Sequence, residues 1–278
     1  MEPVTYVITV ASLAGVFTSC IQCFDLIRLG SEFGNDYGKC LLRLDVSKLR
    51  LARWGWSVGL GEPPAVNTDF HPTESDIRTA QKLLSSIYET FQDVEKASKK
   101  YPNVDDPRSK EILDESTALE QNIQRLHISM RKTAATRHSD TSLLSRAAWA
   151  IYRKKHFDRM VEDITEFVNS LIDLFPTALP TQQSLAISEA DGIQNTDDLR
   201  LLQEVSQEDP ILENAVKESL SARGSFYNQV EATDSSKLHA GDDIAYGVSG
   251  HGHVFNGGKS SGNAVAHFGN NYRGAGGI

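Results

Sequence analysis

Between Glu2 and Asp25 the chain runs for 22 residues without a charge, from Pro3 to Phe24. As a helix this segment is roughly 33 Å long at about 1.5 Å per residue, close to the thickness of a bilayer's hydrocarbon core. A helix apolar on every side has two stable surroundings, the centre of a helical bundle or a membrane. Thr5, Thr9, Ser12, Thr18, Ser19 and Gln22 make the run a mediocre permanent span, so the bundle centre is the expected resting place. The two readings are compatible if the helix can change environment. Ala11, Gly15 and Ser19 lie four apart and form a small-residue stripe suited to close helix packing in either setting. Glu2 stands where a secretory signal carries its basic start, and basic flanks of a constitutive span are missing on that side.

The residues that follow can build the bundle. Ile77, Ala80, Leu84, Ile87, Phe91 and Val94 recur at helical spacing within Ser75–Tyr101, with Thr73 and Asp76 as a capping box after Pro72. Ile112, Leu119, Ile123, Leu126 and Met130 predict a helix over Glu111–Arg131. Ser142–Phe175 reads as one long helix closed by Pro176, and shorter ones fall at Thr196–Val205 and Pro210–Ala222. Val58–Pro72, rich in Gly and Pro, reads as a loop holding at most a small hairpin. No sustained alternation of period two precedes residue 222, so residues 1–222 are expected to be an all-α bundle, long enough to bury an adequate core.

Little in this body suggests chemistry. A formal charge of −9 gives no footprint for nucleic acid. Cys20, Cys23 and Cys40 are too few and odd in number for a disulfide scaffold and suit a reducing compartment. Cys20-Ile-Gln-Cys23 sits inside the uncharged helix without further ligands, which points to core packing rather than zinc. His251-Gly-His253 lacks acidic or Cys partners. Asp105-Asp106, Asp197-Asp198 and Asp242-Asp243 fall in turns or helix starts, where Asp is structurally common. With no phosphate loop, nucleophile elbow or His-Glu-x-x-His motif, no catalytic residue, cofactor or metal is expected, and the chain reads as a non-enzyme.

The composition changes sharply near Ala222. All nine prolines lie at or before Pro210, whereas twelve of the twenty glycines fall in residues 223–278. Composition alone makes this tail flexible and polar. A shift of 28 residues, however, lays it onto itself without gaps, as copies 225–247 and 253–275. Asn228/Asn256, His239/His267 and Gly241/Gly269 are identical, Ile244 lands on Tyr272, and Glu231 meets Lys259. One copy cannot bury its apolar face, but stacked copies can. In a cross-β stack with rungs about 4.7 Å apart, matched Asn residues form ladders and Glu231 neighbours Lys259. Gly241 and Gly269 supply the turn ending each main arc. The bland alternative is a low-complexity tail with chance similarity, and either way the soluble resting tail is expected to be disordered.

Together these features resemble the fungal HET-s/LopB family, in which a HeLo domain precedes a prion-type amyloid segment. The resemblance rests on Leu13-Ala-Gly-Val-Phe, Cys20-x-x-Cys23-Phe-Asp, Leu29-Gly-x-x-Phe33-Gly-x-Asp36-Tyr37, Cys40, Leu42-Arg-Leu-Asp45, Lys48 and Arg50-Leu-Ala-Arg-Trp54-Gly55. Thr141-Ser-Leu and Ala148-Trp-Ala-Ile-Tyr152 add a weaker match. The tail resembles the family's paired repeats, and departs from them at Gly257-Gly258, where an apolar residue like Val230 is expected. Ser261–Tyr272 is equally similar to the sigma-type motif of related fungal death effectors.

The resemblance implies a helical HeLo-like domain followed by a disordered tail able to form a two-rung β-solenoid amyloid, and a pore-forming cell-death effector rather than a catalyst. It implies that the folding tail destabilises the domain and frees its first helix to enter membranes. That helix would insert through Val4, Val7, Ile8, Val10, Ala11 and Leu13, then Gly15, Val16, Phe17, Ile21 and Phe24. The absence of proline from Glu32 to Asn35 favours a helix able to extend. The amyloid core would hold Phe226, Asn228, Val230, Glu231, Leu238, Ala240 and Gly241 in the first copy. The second contributes Val254, Asn256, Lys259, Ala266, Phe268, Gly269, Asn270 and Tyr272. Implied partners are further copies of the chain (through the tail, or as a dimer through the helical domain), a NOD-like receptor or STAND protein with a matching motif, and membrane lipids. The implied location is the cytoplasm, then the plasma membrane on activation. The competing reading is a non-toxic prion or adaptor module that assembles through its tail and leaves membranes alone.

Overall fold

The computed structural model describes residues 3–61, 72–99, 119–137, 148–223, 226–244 and 253–272, with backbone alone at 3–12, 31–32, 226–228, 254, 256 and 272. The chain divides into two compact units, residues 1–215 and 216–278. The order of the first is α1 (Pro3–Leu26), β1 (Ile27–Leu29), a 3-10 turn (Ser31–Asp36), α2 (Tyr37–Ser57), α3 (Glu74–Lys99) and α4 (Gln121–Ala135). Then come β2 (Trp149–Ile151), α5 (Lys154–Leu174), a 3-10 turn (Pro176–Ala178), α6 (Leu179–Asp191), α7 (Thr196–Val205) and α8 (Pro210–Ala222), which crosses into the second unit.

Several ends follow from local chemistry. Thr73 and Asp76 form the capping box at the start of α3: the Thr73 amide donates to Asp76 Oδ2 at 2.9 Å and the Asp76 amide donates to Thr73 Oγ1 at 3.2 Å. The Asn195 side chain accepts from the Asp197 amide at 2.8 Å, capping α7. In α5, Phe157, Met160, Ile164, Val168 and Leu171 are buried at helical spacing, and Pro176 opens the next turn.

The central helix is α2, not the uncharged α1. It packs against α1, α4, α5, α6 and α7, and almost every residue from Tyr37 to Ser57 is buried. Four of them are charged, Asp45, Lys48, Arg50 and Arg53, and partners make this tolerable. Arg53 is fully enclosed and donates to Glu189 Oε2 at 2.6 Å and Asp209 Oδ2 at 2.9 Å. Burial alone would weaken its hold on the proton, but the two carboxylates reverse that and keep the guanidinium charged. Arg50 reaches the Glu208 carbonyl at 2.6 Å, and Trp54 Nε1 donates to the Leu171 carbonyl at 3.1 Å.

Two expected helices are shorter than their sequence pattern. The chain is non-helical at Leu119 and Glu120, so α4 starts at Gln121 rather than Glu111; residues 111–118 lie outside the described residues. Ser142–Phe175 is broken by β2, whose buried Trp149, Ala150 and Ile151 pair in parallel with Ile27, Arg28 and Leu29 of β1. Residues 142–147 and most of the expected Val58–Pro72 loop are outside the described residues. At rest α1 ends at Leu26: β1 follows, and Gly34 takes φ 48°, ψ −127° within the next turn.

Candidate functional site

The first unit presents a seat for α1. Leu13, Phe17, Cys20, Ile21 and Phe24 form one buried face at three- and four-residue spacing. Gly15 is exposed, and Val16, Thr18, Ser19 and Gln22 are half-buried. Cys23 and Leu26 are buried as well, so over the described side chains, 13–26, the helix is open at Gly15 rather than buried all round as expected. Phe17 lies flat over Gly55, where a methyl group would come within 2.2 Å of Phe17 Cζ, so only glycine admits the ring. Its centroid is 6.2 Å from Trp54, and Phe24 meets Phe91 edge-on at 4.9 Å. Burial of each such side chain contributes about 1.5–3 kcal/mol.

The Cys20 thiol donates to the Leu84 carbonyl at 3.2 Å, and burial, reinforced by Cys23, pushes it far above the ordinary thiol range. The Cys-x-x-Cys pair is packing. The small-residue stripe is not a seam at rest: no described atom lies within 4 Å of a methyl placed on Gly15, and the Ser19 hydroxyl turns back to the Gly15 carbonyl at 2.9 Å. The side chains of Val4, Val7, Ile8, Val10 and Ala11 are outside the described ones, although their backbone is helical. Among the described residues no helix is long and apolar enough to cross a membrane.

Charge fastens the C-terminal end of α1. Asp25 accepts from Lys48 Nζ at 2.6 and 2.7 Å, and Arg131 NH1 approaches it at 3.3 Å. Arg131 also donates to Asp45 at 3.1 Å, and His127 Nδ1 shares the other Asp45 oxygen at 2.6 Å. This cluster ties α1 to α2 and α4. The hydrophobic pattern gave no sign of it, because its members are far apart in sequence and Lys48 is one of several charges along α2.

The second unit carries two rungs. β3 (Phe226–Asn228), β4 (Glu231–Ala232), β5 (Lys237–Ala240) and β6 (Asp243–Ile244) make the first. β7 (Val254–Asn256), β8 (Lys259–Ser260), β9 (Val265–Phe268) and β10 (Asn271–Tyr272) make the second. Each strand pairs in parallel with its counterpart: Asn228 with Asn256, Glu231 with Lys259, His239 with His267, Ile244 with Tyr272. All four pairings share an offset of 28 residues, that of the sequence repeat.

The corners match as well. Gln229 and Gly257 take φ 50° and 76°, Asp234 and Gly262 take 61° and 70°, and Gly241 and Gly269 take 152° and 121°. At Gly241 a methyl would lie 2.1 Å from the Gly269 carbonyl oxygen, so the turn requires glycine twice over.

Polar and apolar residues both complement across the rungs. Lys259 Nζ is 3.7 Å from Glu231, the Asp242 amide donates to Asn270 Oδ1 at 3.1 Å, and Asn271 Nδ2 donates to Asp243 Oδ1 at 2.9 Å. Inside, Ala232, Ala240 and Ile244 are buried, Leu238 and Ala266 are half-buried, and Phe268 meets Phe255 edge-on at 5.6 Å. The glycine at 258 has a packing reason. A methyl there would lie 2.8 Å from the Phe268 ring, so the second rung combines Gly258 with Phe268 where the first combines Val230 with Ala240.

The remaining candidates are structural. Asp198 accepts from Arg125 at 2.7 Å, and His253 Nε2 lies 3.4 Å from Asp242 Oδ2. No group of three or more metal-ligating side chains occurs among the described residues, and His251 and Asp105-Asp106 lie outside them.

Comparison with known proteins converges on one relationship. The profile of HeLo, described as prion-inhibition and propagation, matches residues 6–202. Heterokaryon incompatibility protein s of Podospora anserina is 30% identical over 205 residues, covering 74% of this chain and 70% of the relative. Heterokaryon incompatibility protein S of the same fungus is 29% identical over the same length. The solved HET-s N-terminal domain superposes with a TM-score of 0.68 at 29% identity, over 76% of this chain and 97% of that one. A doubly substituted form gives the same TM-score over 99% of its length.

Proposed function

The chain belongs to the HeLo family, and from that premise we propose that it is an amyloid-triggered, membrane-permeabilising cell-death effector of the heterokaryon-incompatibility kind. The observation that carries the reading is the parallel stack with its single 28-residue offset. Both outer edges of such a stack leave backbone donors and acceptors open, so a further copy can add in the same register. A receptor of the NOD-like or STAND class with a matching rung is the proposed natural trigger.

Addition of copies creates a spatial conflict. Two rungs advance the fibre by about 9 Å, whereas a unit of some 215 residues has a radius of gyration of about 17 Å. Neighbouring helical units cannot all sit in line while folded. The element whose loss exposes the fewest charges is α1, uncharged from Pro3 to Phe24 and already open along Gly15. Once out of its seat it enters lipid, the cytoplasmic protein relocates to the plasma membrane, and the cell loses its permeability barrier. No catalytic step is involved.

The test is direct. Full-length protein mixed with sonicated fibrils of itself should release dye from liposomes of mixed neutral and anionic lipid, whereas fresh protein should not. A second reading draws on the quality of the α1 seat, with Phe17 fitted to Gly55 and Asp25 held by Lys48. It makes the helical unit a stable adaptor carried by an inert prion. Complete conversion to fibrils with intact liposomes would establish that reading.

A further inference from the structure

The rings of His239 and His267 stack at 5.0 Å between centroids, 19° from parallel, on the exposed face of the β5–β9 pair. Resting on the amyloid reading above, we propose that these two histidines form a proton-sensitive column that permits stacking when neutral and opposes it when charged. Each added copy continues the column, because a histidine occupies this position in both rungs and rungs repeat about every 4.7 Å. An imidazole changes charge between about pH 5 and 8. Protonation then places like charges about 5 Å apart along the whole fibre, whereas the dispersed chain keeps far fewer of them together.

Among the described residues, no carboxylate lies on that face. Lys237 is two residues from His239 on the same face, with Val265 opposite, and Gly241 and Gly269 follow on the other side. Glu231 is engaged with Lys259 on the β4–β8 pair, and Asp243 with Asn271 on the β6–β10 pair. His253 lies 3.4 Å from Asp242 Oδ2, but its counterpart 28 residues earlier is Ser225 and it forms no column. Charged rings stacked 5.0 Å apart repel one another, so charging the column opposes assembly. Assembly is therefore expected to be fullest where imidazoles are neutral and weaker where they are charged.

The experiment measures the soluble protein left at equilibrium with fibrils of the full chain at pH 7.5 and 5.5, at fixed ionic strength. Two new imidazole contacts per copy in water correspond to a rise on the order of tenfold at pH 5.5 in dilute salt, reduced in 1 M salt. His239→Asn/His267→Asn, whose amides can ladder in the same position, should assemble equally at both pH values. His239→Gln/His267→Gln repeats the test should the first variant fail to assemble. A wild type indifferent to pH, or variants that keep the wild-type response, would overturn the column while leaving the amyloid reading intact. Absence of fibrils at pH 7.5 would overturn both.

Discussion

Gly15→Lys separates the resting role of α1 from its proposed role in lipid. In the folded unit Gly15 is exposed and no described atom lies within 4 Å of a methyl placed on it, so the longer side chain projects without collision. Lysine is also the better helix former, by roughly 0.5–1 kcal/mol. Stability of the resting protein should therefore be unchanged or slightly raised. In a bilayer the balance reverses. The uncharged run is centred between Leu13 and Ala14, which puts Gly15 about 2 Å from the midplane of a spanning helix. A lysine there costs about 2.5–3.5 kcal/mol, or roughly 100-fold in the insertion equilibrium of each chain. Leu13 cannot serve this test, because it is 5% exposed and a charge there would strike the core. The assay pairs seeded liposome leakage with circular dichroism of the resting protein and sedimentation of the fibrils. Leakage should fall to the unseeded baseline while helicity and fibril yield stay at wild-type values, and Gly15→Leu should leak fully. Seeded Gly15→Lys that leaks at the wild-type rate would show that α1 is not the inserting element.

Other expectations follow from the same geometry. Gly258→Val should slow fibril growth because its side chain meets the Phe268 ring, and adding Phe268→Ala should restore it by giving the second rung the Val/Ala pairing of the first; no rescue would mean the two sites are not coupled. Gly55→Ala forces a methyl into Phe17, so thermal unfolding should occur about 3–10 °C lower, corresponding to roughly 1–3 kcal/mol, and an unshifted transition contradicts the seat. Burial, with its thiol held far above the ordinary range, makes Cys20 inert at rest. Maleimide at pH 8 should modify it slowly in fresh protein and quickly after seeding, and equal rates would mean that α1 never leaves.

Parts of this architecture were open to inspection in the sequence, and the reasons differ from element to element. The start of α3 and the limits of α7 and α8 were legible because Thr73, Asp76, Asn195 and Pro210 act locally. The strand offset in the tail was legible because stacked copies must match position for position, so Asn228, His239 and Gly241 have identical partners. The centrality of α2 was not. Asp45, Lys48, Arg50 and Arg53 look like a solvated face until the partners that neutralise them, as far away in sequence as Asp209, are known. Strand β2 was absorbed into a helix because three residues cannot display a period. The outward position of Gly15 depends on which neighbours exist, not on the composition of α1 itself.

The short parallel pair between Ile27–Leu29 and Trp149–Ile151 closes a ring in the chain path. Helices α2, α3 and α4 lie on that ring, while α1 lies wholly to its N-terminal side. Withdrawal of α1 thus unthreads nothing and leaves the closure unbroken. If α1 detaches as proposed, the strand pair that begins at Ile27 is the place where detachment would stop. With a length of about 36 Å, the freed helix can cross a hydrocarbon core of about 30 Å only if this closure is held at the lipid surface. In the proposed insertion, these three paired residues would set the reach of the segment and so how far the remaining bundle stands from the membrane.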